Sequence, residues 1–505
     1  MSTRPAAGRG GPPIVPGSPA APRILSGVDA LRGIGLEPAQ GFWADAWGRV
    51  LRRPGALMAL GWLSVVGFFA VFGPLVASGH PLLWRELDAS GAVTRITSPL
   101  WNNLGAADLL ILLMSVVGGL FLLVPIRTPR GERIGILLVS AVQMIATCAL
   151  SAITPVRRAV SFAGESGRDT PSLFGWLVLA CVVAIPFLWI SPLGSFARRM
   201  IVVGGAAVAC AIALTIAGGS TLVDFDRYVD RQIAGEATAV YTIVPWSPAQ
   251  RRTDTYFAPP MTTLGEQVPA LAETPIATHR FVLGTDSLGQ DVLSQMLHAC
   301  RLAISIGFVS TGIAVVIGVT LGALMGYFGG WVDLLLARVI EIFMAIPVLF
   351  LLIVAAGVLP RNTYVMMAII GCVTWTGAAR FTRAEFLRLR NQDFVQAARA
   401  LGLPLRSVLF RHMLPNGVTP VLVDASFAIA AAILAEATLS YLGLGPDGQA
   451  SWGRLLSSST NTIGEFLWWL AIFPGAVIFL TVLSYNLLGE AMRDAIDPKL
   501  RKAGN

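Results

Sequence analysis

Few residues in this chain have the types and spacing that chemistry at a site requires. Nucleotide-driven phosphate chemistry needs a glycine-rich loop ending in lysine, G-x-x-x-x-G-K-[ST]. The only lysines are Lys499 and Lys502, and neither has that context. No HExxH, GxSxG or paired-histidine motif appears, which argues against a membrane-embedded enzyme. His80, His279, His298 and His412 are far apart in sequence. Cys148, Cys181, Cys210, Cys300 and Cys372 form no C-x-x-C pair and fall mostly in apolar runs. They read as small buried hydrophobes, and no metal site is expected. What remains is charge in apolar surroundings, which inside a membrane defaults to function. Arg338 and Glu341 stand three apart on one helix and can pair; a structural pair is favoured over a substrate contact. Asp424 and Glu436 lie on one span near opposite ends, and Glu436 can cap an outer loop or line a pathway. Asp286 and Asp291 precede a span and read as caps that anchor an interfacial helix, ahead of substrate binding.

The elements that position these groups are apolar helices. Of 505 residues, 55% are hydrophobic and 13% charged, with a mean hydropathy of +0.69. Soluble domains carry about 25% charge. Ten runs are long enough to cross a core of roughly 30 Å: 56–78, 107–126, 134–153, 173–191, 200–218, 302–328, 334–358, 364–379, 419–441 and 466–488. The net charge of +8 and pI of 9.6 do not signal nucleic acid. The arginines cluster between spans, as the positive-inside rule expects. With the N-terminus inside, the cytosolic loops hold Arg127, Arg130 and Arg133, then Arg198 and Arg199, then the arginines from Arg380 to Arg411. Arg157, Arg158 and Arg168 fall outside as a minor breach. An even span count places both termini in the cytosol. Residues 1–28, rich in Pro, Gly and Ala, read as a disordered cytosolic tail and not a signal peptide. The aromatics and arginines of 42–53 read as an interfacial helix. Gly318, Gly322 and Gly326 set a small-residue stripe for close helix packing.

The most specific cytosolic stretch runs from Asp393 to Asn416. Asp393 can N-cap a helix, and Gln396 can complete a capping box. Gly402 suits a left-handed C-cap. Pro404 suits the first turn of a second short helix, and Pro415 is expected to stop it. Two short helices at an angle result. Ala397 and Ala398 give them a low surface that another protein can approach.

This segment resembles the EAA loop of binding-protein-dependent ATP-binding-cassette (ABC) importers. Ala397, Ala398, Gly402, Leu414 and Pro415 match at the family's spacing, while Gln396 replaces Glu and His412 replaces Ile. Residues 284–294, with Gly284, Thr285, Asp286, Gly289 and Asp291, resemble the GTDxLGRDVLSR signature of dipeptide, oligopeptide and nickel permeases; Gln290 replaces Arg. The segments 329–333, 439–445, 451–453 and 486–498 resemble the turn, outer loop and C-terminus of the same family. The likeness covers roughly 281–500 and is that of a C-type permease.

The resemblance implies an all-α polytopic protein of the cytoplasmic membrane, a type I ABC importer transmembrane domain. It implies peptide uptake, with nickel or another small solute as the alternative. Gln396, Ala397, Ala398, Gly402, Pro404, Leu414 and Pro415 would couple to ATPase subunits. The implied partners are a B-type permease, two ATPases that carry ATP and magnesium, and an extracytoplasmic solute-binding protein. The chain itself would bind no cofactor and hydrolyse nothing. A secondary transporter, working unaided, needs acids near the midplane; the acids here lie near span ends. The expected order is a tail and interfacial helix at 1–53, a first span at 54–78, and an insertion of four extra spans at 79–218. An external segment at 219–298 precedes a five-helix core at 299–490, with a coupling loop at 380–416 and a tail at 491–505. The insertion departs from the family pattern.

Overall fold

A computed structural model describes residues 42–88, 90–124, 129–151, 153, 156, 173–190, 195–217, 225–272, 275–459 and 466–496. The expectations for the tail 1–28, for Arg127, Arg157, Arg158 and Arg168, and for 497–505 lie outside those residues. Among the described residues, seven helices are long and apolar enough to cross a membrane. Counting each of two bent pairs as one span makes nine, against the ten expected; the apolar helix Leu173–Trp189, at the place of the tenth, is shorter.

The first elements show why the chain enters where it does. Helix α1 (Phe42–Val50) precedes α2 (Pro54–Val76), which starts with proline at a position whose N–H needs no partner. Ala46 and Val50 of α1 pack with Ala491 and Ala495 of the last helix, α16 (Trp468–Ile496). Arg53 bridges Asp494 at 2.6 Å, so both ends of the described chain meet on one face.

After α2 the chain makes strands β1 (Leu83–Leu87) and β2 (Val93–Thr97). Four helices then form a bundle: α3 (Ala106–Leu123), α4 (Arg130–Ser151), α5 (Leu173–Ile190) and α6 (Phe196–Ile216). Their shared interior includes Leu110, Met144, Ala180, Val203 and Cys210. Gln143 is fully buried there and donates to the Val203 carbonyl at 2.9 Å. Two arginines close helix ends whose last carbonyls lack partners. Arg133 donates to Val124 O at 2.6 Å and Phe121 O at 3.1 Å; Arg199 donates to Leu188 O at 3.3 Å.

The chain returns through α7 (Phe225–Ile233) to β3 (Ala237–Val240), which pairs antiparallel with β1 in the order β2-β1-β3. One sheet therefore holds both ends of the bundle. Arg231 fastens it, bridging Glu86 at 3.1 Å and Glu236 at 3.2 Å, with its guanidinium 5.5 Å from the Trp84 ring. A second ribbon joins β4 (Thr262–Thr263) to β5 (Arg280–Phe281). The polar stretch after the bundle is thus a small folded layer, with Phe225, Trp246, Leu264, Ile276 and Phe281 at its centre.

The core helices follow. Helix α8 (Val292–Phe328) has 37 residues, about 55 Å, and begins ten residues before the span read from hydropathy. Helices α9 (Gly330–Ala345) and α10 (Val348–Val358) meet at 82°, where one straight span was expected. Pro347 separates them, and the residue before proline is pushed out of the helical region; Ile346 sits at φ −95°, ψ 129°. Helices α11 (Thr363–Thr374) and α12 (Thr376–Leu389) bend by 43°. The three glycines of α8 lie against α12: a Cβ on Gly318 would stand 2.7 Å from Trp375 O, and one on Gly326 2.5 Å from Phe386 Cβ. Helices α13 (Asp393–Ala400), α14 (Thr419–Tyr441) and α15 (Trp452–Ser458) complete the fold before α16.

Of the five cysteines, Cys210 and Cys300 are buried as expected, whereas Cys181 and Cys372 face outward. Among the described residues no group of His, Cys, Asp or Glu is placed to hold a metal.

Candidate coupling elbow and signature knot

Opposite ends of α8 carry the two candidate sites. At its C-terminal end lies an elbow made by α13 and the helical stretch 405–417. The turn between them closes as the glycine requires. Gly402 has φ +70°, its N–H bonds Arg399 O at 2.9 Å, and Leu403 N–H reaches back to Ala398 O at 3.2 Å. This pair of bonds is the Schellman closure of a helix end.

Three sequence expectations are corrected here. Gln392, not Asp393, occupies the N-cap of α13, and no side chain caps it. Asp393 is the first helical residue, where its charge still favours the helix dipole; the Gln396 amide instead donates to Asn391 O at 3.3 Å. Pro404 sits at the N-cap of 405–407, one residue before the turn. Pro415 does not stop the second helix. The backbone runs through it, because residues 408–413 form a π-helical turn and Leu414 N–H bonds Leu409 O, five residues back. That wider turn gives the proline ring room that an ordinary helix denies it. Asn416 adds a side-chain bond to His412 O at 2.8 Å. The stretch passes through Val418, still in the helical region, into α14.

Ala398 also differs from expectation. It is 4% exposed and lies in a cluster with Phe386, Leu389, Val395, Val408 and Met413. Its smallness serves the inside of the elbow. Gln396 and Ala397 are exposed, as are Phe394, Leu401, Leu403, Leu405 and Phe410, so the outer surface is apolar. Two contacts absent from the sequence reading tie the elbow region to the spans. Arg399 places its guanidinium 4.5 Å from the Tyr327 ring of α8. Arg383 of α12 grips Asp333 of α9 through two bonds of 2.5 and 2.7 Å.

At the N-terminal end of α8 the signature folds as a knot. Gly284 and Gly289 both have positive φ; a Cβ on Gly289 would collide with the Arg252 carbonyl. Thr285 donates its hydroxyl to Thr255 O at 2.5 Å and accepts from Ala258 N–H at 2.7 Å. Asp286 accepts from the N–H groups of Leu288 and Gln290 at 2.8 and 2.9 Å and from the Gln295 amide at 2.8 Å. Asp291 caps α8, accepting from Ser294 N–H at 2.7 Å. Asp291 thus caps a helix, though α8 and not a separate interfacial one, whereas Asp286 closes the turn 286–290 and caps no helix, against the expectation for both.

The second oxygen of Asp291, Oδ1, is buried without a partner. Burial, reinforced by the Asp286 charge, pushes its carboxyl up to about 7, and the Ser294 N–H opposes this. The folded state therefore holds a proton that the unfolded state has released between about pH 4 and pH 7. Stability from this group is full below pH 4 and lost as pH rises through 7. Asp291→Asn keeps an N-cap acceptor. Its melting temperature is expected to match the parent at low pH and exceed it at pH 8; equal curves at pH 8 would refute this account.

The span acids resolve as follows. Glu436 is buried and accepts from Ser440 Oγ at 2.6 Å and Ser451 Oγ at 2.8 Å. Ser451 is the N-cap of α15, so Glu436 ties down that loop. Arg338 and Glu341 bond each other on the exposed face of α9. Asp424 is partly buried, with an oxygen 3.5 Å from where a Cβ on Gly377 would sit.

Comparison with known proteins places this arrangement. The family described as "Binding-protein-dependent transport system inner membrane component" matches residues 318–502, and the "N-terminal TM domain of oligopeptide transport permease C" matches 41–86. The dipeptide transport system permease protein DppC of Alkalihalophilus pseudofirmus is 36% identical over 228 residues, 45% of this chain and 74% of that protein. The di/tripeptide permease DppC of Pseudomonas aeruginosa is 35% identical over 262 residues, 52% and 82% respectively. The oligopeptide permease OppC of Bacillus subtilis is 36% identical over 229 residues, 45% and 74%. With its apolar spans, its elbow and its signature knot, the chain belongs to the inner membrane components of binding-protein-dependent transport systems.

Proposed function

We propose that the chain is the C-type permease subunit of a peptide importer, driven from the elbow by separate ATPase subunits. The elbow carries this reading. Its outer surface is exposed and apolar at Phe394, Leu401, Leu405 and Phe410, and such a patch marks a protein contact. Its inner surface is packed on α12, tied to α8 through Arg399, and continuous with α14. A partner that moves the elbow as a rigid body therefore moves three spans.

The cargo follows from the relatives, which are named for dipeptide, oligopeptide and glutathione transport. A second permease, two ATPases and an extracytoplasmic binding protein complete the machine on this reading. The elbow faces the cytosol, because the arginines that cap α3 and α5 and those of the elbow share one side under the positive-inside rule. Reporter fusions after Arg130 and Arg198 should read cytosolic, and a fusion after Gly164 external. Any other pattern removes the orientation.

Docking has its own test. A cysteine at exposed position 397 should cross-link to a co-expressed ATPase subunit; one at buried position 398 should not. Reversal of that pattern, or no cross-link in a complex competent for ATP-driven peptide uptake, removes the reading.

A further inference from the structure

We propose that the four-helix bundle α3–α6 is a built-in partner of the permease core, seated on one arginine, and that this seat holds the proline-containing end of the first span. The bundle is packed mainly on itself, and α3 is the helix it lays against α2. At the start of that seam stands Arg301 of α8. Pro74, inside the last turn of α2, has no N–H to give the carbonyl four residues back. That carbonyl belongs to Ala70, and Arg301 Nε donates to it at 3.0 Å. The core arginine thus fills the gap that the proline opens.

The bundle supplies the arginine's counter-charge. Asp108, in the first turn of α3, pairs with Arg301 Nη1. Its other oxygen accepts from Gly105 N–H at 2.8 Å, which fixes the carboxylate at the helix start. Both side chains are about three-quarters buried. The remaining terminal nitrogen, Nη2, is buried without an acceptor, so no second carboxylate is ready to replace Asp108. Removing one partner of such a pair leaves a buried charge uncompensated.

The consequence reaches past the seam. Gly73, beside Pro74, faces the backbone of Leu297 on α8, with 3.5 Å from a would-be Cβ to that carbonyl. Ala77, just after α2, bridges Val244 beyond the sheet. The end of the first span is therefore held between α8 and the folded polar layer. The seat formed by Asp108, Arg301 and Ala70 lies one turn away from it.

The test uses the full-length chain, purified in detergent, with its five native cysteines replaced by alanine and a reporter cysteine at Gly73. Asp108→Asn should raise the maleimide-labelling rate at 73 several-fold, and Asp108→Glu should return it to the parental rate. Melting curves provide the second measurement. Asp108→Asn and Arg301→Gln should each lower the midpoint, and the double variant should lie no lower than the worse single one. In a Pro74→Ala background the Ala70 carbonyl regains its own helix partner, so the penalty of Arg301→Gln should at least halve. An unchanged labelling rate in Asp108→Asn, additive melting losses, or an Arg301→Gln penalty undiminished by Pro74→Ala would each overturn the proposal.

Discussion

Ala398→Arg should abolish ATP-driven uptake while the protein still inserts and retains its spans. The side chain at 398 points into the cluster of Phe386, Leu389, Val395, Val408 and Met413. An arginine there adds volume that a packed cluster tolerates badly, about 1–3 kcal/mol, and a charge with no carboxylate among those neighbours. The elbow can escape both by lifting α13 off α12, since the turn at Gly402 and the cation–π contact of Arg399 with Tyr327 are its other moorings. The spans are packed separately and stay formed. Uptake should fall at least tenfold, which corresponds to about 1.4 kcal/mol or more. Ala397→Arg sharpens the point. That position is exposed, so the elbow should keep its shape and lose only partner docking. Protease resistance of the elbow, intact in Ala397→Arg and lost in Ala398→Arg, separates the two. Parental uptake by Ala398→Arg would remove the elbow from the coupling path.

The contrast between 397 and 398 shows what a sequence does and does not disclose. The polytopic class was legible because hydropathy integrates over about 20 residues, whereas the breaks that bend two of the apolar runs by 82° and 43° were not. The Gly402 turn was legible because positive φ is nearly reserved for glycine. The inward face of α13 was partly legible: Val395 and Ala398 are three apart, the spacing of one helix face. The likeness of Ala397 and Ala398 suggests one shared surface, whereas that spacing sets Ala398 apart from Ala397. The cap at Gln392 depends on backbone angles that side-chain type only biases. Passage through Pro415 depends on a π-helical turn, which no residue pattern announces. Asp108 and Arg301 were hidden differently. Arg301 lies one residue outside the run 302–328, where a hydropathy window trims it into the flanking loop, and Asp108 is the second residue of the run 107–126. A charge trimmed from a span looks solvated, and only the fold shows that the two meet.

Gly322→Leu should prevent the permease from accumulating as a folded protein, whereas Gly312→Leu, ten residues earlier on the same helix, should be tolerated. A Cβ at 322 would collide with the Ala379 carbonyl and stand 2.7 Å from Thr382 Cβ. Those atoms belong to the backbone and the first side-chain carbon of α12, so neither can swing aside. The helices must separate over the stripe that Gly318 and Gly326 share, and in a membrane such close packing is itself the force that joins helices. At Gly312 nothing lies within 4 Å of the added carbon, so the leucine meets lipid. The damage at 322 extends to function, because α12 also carries Phe386 and Leu389, the floor on which the elbow rests. Folded yield, measured as monodisperse protein after extraction, should fall at least tenfold for Gly322→Leu and remain near parental for Gly312→Leu, with Gly322→Ala between them. Equal yields for the two leucine variants would show that α8 and α12 are not in this register. The glycine stripe would then lose its role as the joint between span and elbow.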